Sequence, residues 1–249
     1  MKFVGIIPAR YASTRFEGKP LVDIDGKPMI QHVYERACQA IQDVCVATDD
    51  VRIEACVKAF GGKALMTSSA HKTGTDRCFE ALQQLLDDDY QVVVNIQGDE
   101  PFIDPEQITA LMACFHASDV DIATLIKPFP SDTSIEELQN RNVPKVVVDC
   151  RGRALLFSRA VIPCLRNVPQ QQWAAHHQYY RHVGIYAYRT EALAKITQMP
   201  QTPLEIAESL EQLRWLENGL HIQTAVTFAE NYGIDTPEDL AAVLKLKKL

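Results

Sequence analysis

The chain contains no run of about eighteen apolar residues, so no membrane-crossing helix is expected. Its first apolar stretch, Phe3 to Ile7, is cut short at Pro8 and is too brief for a secretory leader. No C-x-x-C spacing occurs among the seven cysteines (Cys38, Cys45, Cys56, Cys78, Cys114, Cys150, Cys164). Their odd number and scatter favour reduced thiols over a disulfide framework or a zinc site, which makes the cytoplasm the expected compartment. A basic excess is also missing. The net charge of −7 argues against a general nucleic-acid binder. Internal repeats and low-complexity tails are absent. Two phosphate motifs are missing as well: a P-loop would need a glycine where Ser13 stands and Ser or Thr where Pro20 stands, and no G-x-G-x-x-G follows a strand.

What remains is an ordinary globular composition, 47% hydrophobic and 23% charged over 249 residues, enough for one large α/β domain with a subdomain. The first half alternates strand and helix. Phe3–Ile7 is expected as a buried strand ended by Pro8. Pro28 is expected to open a helix whose apolar face holds Met29, Ile30, Val33, Tyr34 and Ala37. Val44–Ala47, Ala64–Met66 and Val92–Ile96 follow as strands. A helix capped at Thr48-Asp49-Asp50 closes at Gly61-Gly62, and another carries Cys78, Ala81, Leu82, Leu85 and Leu86 on one face. Asp104 to Gln107 has a capping-box pattern. Such β-α units predict a mostly parallel sheet covered on both sides. In the second half, Lys145–Asp149 and Ala154–Ser158 form an expected hairpin, and residues 166–178 a long polar loop. His182–Tyr188 and Ile222–Phe228 read as strands. One helix is expected from Thr202-Pro203 to Gly219, and another opens at Thr236-Pro237.

Chemistry concentrates in a few stretches. After the first strand, Pro8-Ala9-Arg10-Tyr11-Ala12-Ser13-Thr14-Arg15-Phe16-Glu17-Gly18-Lys19-Pro20 carries three cations, Arg10, Arg15 and Lys19, at the strand end where open α/β sheets take ligands. Arginine forks and a lysine point charge suit phosphate; the bland alternative is a solvated basic loop. Gln97-Gly98-Asp99-Glu100-Pro101 places a carboxylate at another strand end, with a glycine clearing space, where a hard cation such as magnesium could be held. Asp235 is a second carboxylate, though by spacing alone it is an ordinary helix-entry acid. Ser69 to Arg77 is a small polar loop running into a helix, and Thr73 or Thr75 serves equally as a base contact or an N-cap.

The segment Pro8 to Arg15, with Gly18-Lys19-Pro20-Leu21, resembles the nucleotide loop of the sugar nucleotidylyltransferases, and within them the branch that transfers CMP to acid sugars. The resemblance extends from Pro8 to Leu240 and is weakest over residues 166–178. The Phe16-Glu17 pair departs from the Leu-Pro usual there. The resemblance implies a Rossmann-like nucleotide-diphospho-sugar transferase fold over residues 1–249: a nucleotide-binding half (1–130), an extension for sugar binding and dimerisation (131–230) and a returning segment with a C-terminal helix (231–249). It implies CTP and 3-deoxy-D-manno-octulosonate (Kdo) as substrates, with CMP-Kdo and pyrophosphate as products. The nucleotide contacts it implies are Pro8, Ala9, Arg10, Ser13, Lys19, Ser69, Gly74, Thr75, Arg77, Gln97 and Asp99. Arg10 and Lys19 would stabilise the triphosphate, and Asp99 and Asp235 would hold Mg2+.

For the sugar acid the implied set is Gln97, Arg159, His182, Tyr186, Glu208, Glu211 and Gln212, in Phe-Ser-Arg, His-x-Gly-Ile-Tyr and Glu-Gln-Leu-Arg segments. Read without the resemblance, each is a surface or capping group; Glu208, Glu211 and Gln212 are spaced to share one helical face. The adjacent His176-His177 pair is rejected as a metal site. Lys145 receives no role, since Arg141 and Pro144 depart from the pattern around it. Family members are homodimers, and Tyr179-Tyr180 is the expected contact. Three alternatives stay open: another acid sugar such as sialic acid or an amino-Kdo, a sugar-alcohol phosphate, or a nucleotide-binding sensor without turnover.

Overall fold

A computed structural model describes residues 1–12, 15–85 and 89–247; the expectations at Ser13 and Leu86 lie outside them. In chain order the elements are β1 (Phe3–Ala9), a ribbon of β2 (Asp23–Ile24) and β3 (Lys27–Pro28), α1 (Met29–Ala37), β4 (Val44–Thr48), α2 (Val51–Ala59), β5 (Ala64–Met66), α3 (Gly74–Gln83), β6 (Val92–Asn95) and α4 (Pro105–Ala113). Then come β7 (Ile122–Pro128), α5 (Ile135–Leu138), β8 (Lys145–Val148), β9 (Ala154–Ser158), α6 (Trp173–His176), β10 (Tyr180–Arg189), α7 (Thr190–Ile196), α8 (Pro203–Glu208), α9 (Glu211–Glu217), β11 (Ile222–Val226) and α10 (Pro237–Lys247). No helix among the described residues is long and apolar enough to cross a membrane.

The chain divides into two compact units. The first holds Met1–Thr109, Ala187–Thr197 and Ala229–Leu249. Its strands run β6-β1-β4-β5, all parallel, with Gly5 opposite Val44 and Phe3 opposite Val92. Parallel strands joined by helices are covered on both faces, and the β-branched runs fit that burial: Val92, Val93 and Val94 are fully buried, as are Ile6 and Ile7. The caps form where the sequence places them. Asp50 accepts from Arg52 N at the start of α2, and Thr73 accepts from Asp76 N at the start of α3.

Two expectations are corrected in this unit. Pro8 does not end β1, which continues to Ala9 with Pro8 opposite Ala47. The Ile6 carbonyl accepts from Ile96 N, so Pro8, two residues on, turns its polar atoms to the same side. There the β6 register has already ended at Ile6–Asn95, and the missing N–H costs no ladder bond. Pro28 is the N-cap of α1 and the last residue of β3, one place before the helix begins.

The second unit holds Ala110–Tyr186 and Gln198–Phe228. β11 pairs β7 in parallel, with Ile222 opposite Ile122; β8 pairs β10 and β9 antiparallel, so the expected hairpin is present. Residues 166–178 are more than a polar loop. Trp173 is buried in a cluster with Phe129, Ile135, Leu138 and Tyr179, and its Nε1 donates to Val168 O at 2.9 Å. Tyr179 is therefore no exposed dimer contact: it is 2% exposed, lies 6.5 Å from the Trp173 ring in stacked orientation and donates to Pro163 O at 2.8 Å. The expected helix from Pro203 to Gly219 is broken. Ser209 adopts φ 50° and ψ 49°, and Leu210 is extended, which separates α8 from α9. Glu208 thus stands on a different helix from Glu211 and Gln212, and the single shared face does not exist.

Candidate active site

The first unit carries a cavity of about 250 Å3 at the carboxyl ends of β1 and β6. Its floor is the Pro8-Ala9 end of β1. Beyond it the chain turns back at Gly18, which takes φ 70° and leads into a 3-10 turn over Lys19–Leu21. That turn aims the Lys19 ammonium inward. Its Nζ donates to Asp99 Oδ2 at 2.9 Å and to Asp235 Oδ1 at 3.1 Å, with the lysine side chain only 13% exposed. Arg15 Nη1 lies 3.0 Å from the other Asp235 oxygen. Arg10 completes the cationic wall from an exposed position.

Each acid is placed by the backbone around it. Asp99 follows β6 across Gln97-Gly98, and a Cβ on Gly98 would lie 2.9 Å from the Pro8 carbonyl oxygen. Only glycine allows that approach. Asp235 is brought back by the final segment: Ile234 N donates to Asp99 O at 2.9 Å, and Asn231 Nδ2 donates to Glu100 Oε2 at 2.7 Å. Burial raises the Glu100 pKa, the Asn231 hydrogen bond opposes it, and the Asp99 charge adds to the rise. Thr236 and Asp239 form a reciprocal cap at the start of α10, with Asp239 N donating to Thr236 Oγ1 at 3.1 Å and Thr236 N to Asp239 Oδ2 at 2.9 Å. Asp235 N donates to the same carboxylate at 3.1 Å.

The polar loop before α3 lines the opposite wall. Gly74 packs its α-carbon on Pro8, where a Cβ would come within 3.2 Å of Cγ. His71, Lys72 and Thr73 also face the cavity; sequence reasoning offered Thr73 as a base contact or an N-cap and gave His71 and Lys72 no role. Glu80 on α3 holds this loop, accepting from Ser68 N at 2.9 Å and pairing with His71. Arg77 lines the cavity while its guanidinium is spent on Thr67 Oγ1 at 2.6 Å and Asp49 Oδ2 at 3.0 Å. Exposed Ser69 and buried Thr75 are not among the lining residues. The lining carries five cations (Arg10, Arg15, Lys19, Lys72, Arg77) against two aspartates, a local excess of +3 in a chain of net −7. Such a well attracts polyanions.

The donor set fits magnesium. Asp99 and Asp235 each bring a carboxylate oxygen within 3.1 Å of one cation, the Lys19 ammonium. Among the described residues no group of three or more His, Cys, Asp or Glu is placed to hold a metal. Two hard oxygens without a full cage are what Mg2+ takes when phosphates and waters supply the rest.

Of the residues expected to face a sugar acid, Gln97 lines this cavity; the others belong to the second unit. There Arg159, expected to face the sugar acid, turns its Nε, Nη1 and Nη2 to the carbonyls of Glu208, Arg141 and Ser209 at 2.6, 2.8 and 3.3 Å. Glu208 in turn accepts from Ser158 Oγ at 2.6 Å and Arg159 N at 2.7 Å. The pair ties β9 to the Ser209 break. His182 and Tyr186 lie 5.3 Å apart between ring centres on β10, flanking Gly184, above which a Cβ would touch nothing within 4 Å. Burial pushes the His182 pKa down to about 3, so the imidazole is neutral; its Nε2 meets Thr124 Oγ1 at 3.0 Å. Burial, with the Glu211 charge, raises the Tyr186 pKa well above its ordinary value. Glu211 accepts from Arg214 Nη2 at 2.7 Å. Gln212 is 4% exposed and its Nε2 has no hydrogen-bond partner, the kind of orphan that a ligand satisfies.

Known proteins resemble this chain over most of its length. A family profile described as Cytidylyltransferase matches residues 4–222. A protein of Parabacteroides distasonis named 3-deoxy-manno-octulosonate cytidylyltransferase is 57% identical over 98% of this chain and 97% of its own length. A protein of Bacteroides thetaiotaomicron with the same name is 58% identical over 96% of each. Among solved structures, a CMP:2-keto-3-deoxy-manno-octonic acid synthetase complexed with CTP superposes with a TM-score of 0.89 at 45% identity, covering 100% of both chains.

Proposed function

The chain belongs to the cytidylyltransferase family, and from that premise we propose that it transfers CMP from CTP to Kdo, giving CMP-Kdo and pyrophosphate. The observation that carries this is the convergence of Lys19, Asp99 and Asp235 with Arg10 in one cationic cavity. In the reaction the oxygen of the sugar's anomeric hydroxyl forms a bond to the α-phosphorus as the bond from that phosphorus to the α–β bridging oxygen breaks. Pyrophosphate leaves with the bridging oxygen, and the hydroxyl proton passes to solvent water. Arg10 and Lys19 bind the triphosphate and stabilise charge growing on the pyrophosphate, so their work is positioning and electrostatics. Pro8, Ala9 and Gly74 give the nucleotide a close backbone surface. Asp99 and Asp235 hold Mg2+, which when bound lowers the charge of the phosphates and acidifies the attacking hydroxyl.

For the acceptor we assign Gln97, His182, Tyr186, Glu211 and Gln212. Neutral His182 and un-ionised Tyr186 offer hydrogen bonds to sugar hydroxyls, and Gln212 offers its unpaired amide. Arg159 and Glu208 are assigned a supporting role. Kdo activation places the enzyme in lipopolysaccharide synthesis. A cytoplasmic homodimer completes the reading; it is supported by the family resemblance and the seven free thiols, and sedimentation velocity tests the dimer.

The test is pyrophosphate release with CTP, UTP and ATP against Kdo, amino-Kdo and sialic acid, with and without Mg2+. Release is expected with CTP, Kdo and Mg2+ together. Binding of CTP with no release for any sugar would identify a sensor and overturn the assignment.

A further inference from the structure

Arg52 is not among the cavity-lining residues, yet it bears on the cationic loop. Its guanidinium carbon lies 3.2 Å from the centre of the Tyr11 ring. Asp50 fixes it there as a fork: Arg52 Nε donates to Asp50 Oδ1 at 2.9 Å and Nη2 to Asp50 Oδ2 at 2.7 Å. The same carboxylate accepts Arg52 N at 2.9 Å as the N-cap of α2, so the arginine is anchored to a helix end rather than to a mobile stem. Tyr11 is gripped a second time. Gly18 N donates to Tyr11 O at 3.0 Å, and a Cβ on Gly18 would sit 3.1 Å from Cζ and from the hydroxyl of the ring. Tyr11 and Gly18 are the two feet of the loop, with Arg10 immediately before one and Lys19 immediately after the other.

We propose that Arg52 is a positioning residue for nucleotide binding: stacked on Tyr11, it holds the feet of the loop so that Arg10 and Lys19 already point into the cavity before the triphosphate arrives. The inference rests on the assignment of that cavity to CTP. A planar guanidinium over an aromatic face is attracted by the ring quadrupole. Ordering a loop in advance removes that cost from the binding step. Once bound, the phosphates themselves hold the cations. The clamp therefore acts on CTP affinity and KM, and leaves kcat at saturation nearly alone.

The experiment is calorimetric titration of CTP with Mg2+ into the full-length protein, with steady-state kinetics, for wild type, Arg52→Ala, Tyr11→Ala, the double variant and Tyr11→Phe. Wild type binds CTP. Arg52→Ala and Tyr11→Ala each weaken Kd and raise KM for CTP by roughly fivefold, the size of an exposed cation–π contact, with kcat within twofold. The double variant is no weaker than the weaker single one, and Tyr11→Phe, which keeps the ring, binds as wild type does. Single variants with unchanged Kd, additive losses in the double variant, or a fall in kcat without a change in Kd would each overturn the clamp while leaving the CTP assignment intact. Wild type that fails to bind CTP overturns both.

Discussion

The Lys19 ammonium and the Asp235 carboxylate, 216 positions apart in the chain, meet at 3.1 Å. The contact joins the first loop to the start of the last helix, and Asp99 makes it a three-way junction. A cation between two carboxylates offsets a repulsion that both acids would otherwise feel.

Replacing Asp99 with alanine leaves one carboxylate at the proposed metal position. Turnover is expected to fall a hundredfold or more, with the thermal midpoint within a few degrees of wild type, because the side chain is partly exposed and surface ion pairs contribute little. Pyrophosphate release across a Mg2+ titration, with a circular dichroism melt, checks it. Near-normal rates would remove Asp99 from the metal site.

Lys19→Met keeps most of the side-chain volume and removes the charge. Loss of one preorganised cation at a developing negative charge typically costs a factor of 100 to 1,000, about 3–4 kcal/mol. The expected result is a kcat/KM drop of about that size. Lys19→Arg is expected to rescue poorly, since a planar fork does not replace a point charge held between two acids.

Gly98→Ala adds a methyl group 2.9 Å from the Pro8 oxygen, a backbone atom that cannot swing aside. A destabilisation of about 1–3 kcal/mol is expected from such overpacking. Urea unfolding measures it, and the KM for CTP should rise because Pro8 lines the cavity.

The buried imidazole of His182 makes stability depend on pH. Its pKa is about 3 folded against 6.5 free. Between those values the unfolded chain takes up a proton that the folded one refuses, so the His182 contribution falls as the pH drops below about 6.5. The slope is at most that of one proton, about 1.4 kcal/mol per pH unit. Above 6.5 the residue is neutral in both states and adds no slope. Urea midpoints from pH 4 to 7 for wild type and His182→Asn test this: the variant should lose less stability on acidification.

Much of the fold was legible because its signals are local. The valine run before Asn95 has the length and branching of a doubly covered strand, and Asp50, Thr73 and Thr236 cap helices whose apolar periodicity starts beside them. The convergence of Lys19 with Asp99 and Asp235 was foreseen from strand-end positions and the family resemblance. What stayed hidden depends on neighbours distant in sequence. Nothing in Ala207-Glu208-Ser209-Leu210 forbids a helix, and the break at Ser209 accompanies carbonyls turned toward the Arg159 guanidinium. The carbonyl partners of Arg159 were not legible either, because a sequence does not reveal which backbone oxygens surround a side chain. Pro8 looked like a strand terminator because the side of the ladder its nitrogen faces is fixed only by the pairing of β1 with β6.

The reciprocal cap at Thr236 and Asp239 also grips the amide of Asp235. Winding the last helix and placing the Asp235 carboxylate beside Lys19 are thus a single event. Deleting or unravelling the carboxyl terminus should therefore disarm the catalyst and at the same time uncover Ile24 and Met29, which pack against Ile234 and Val243 of that same segment.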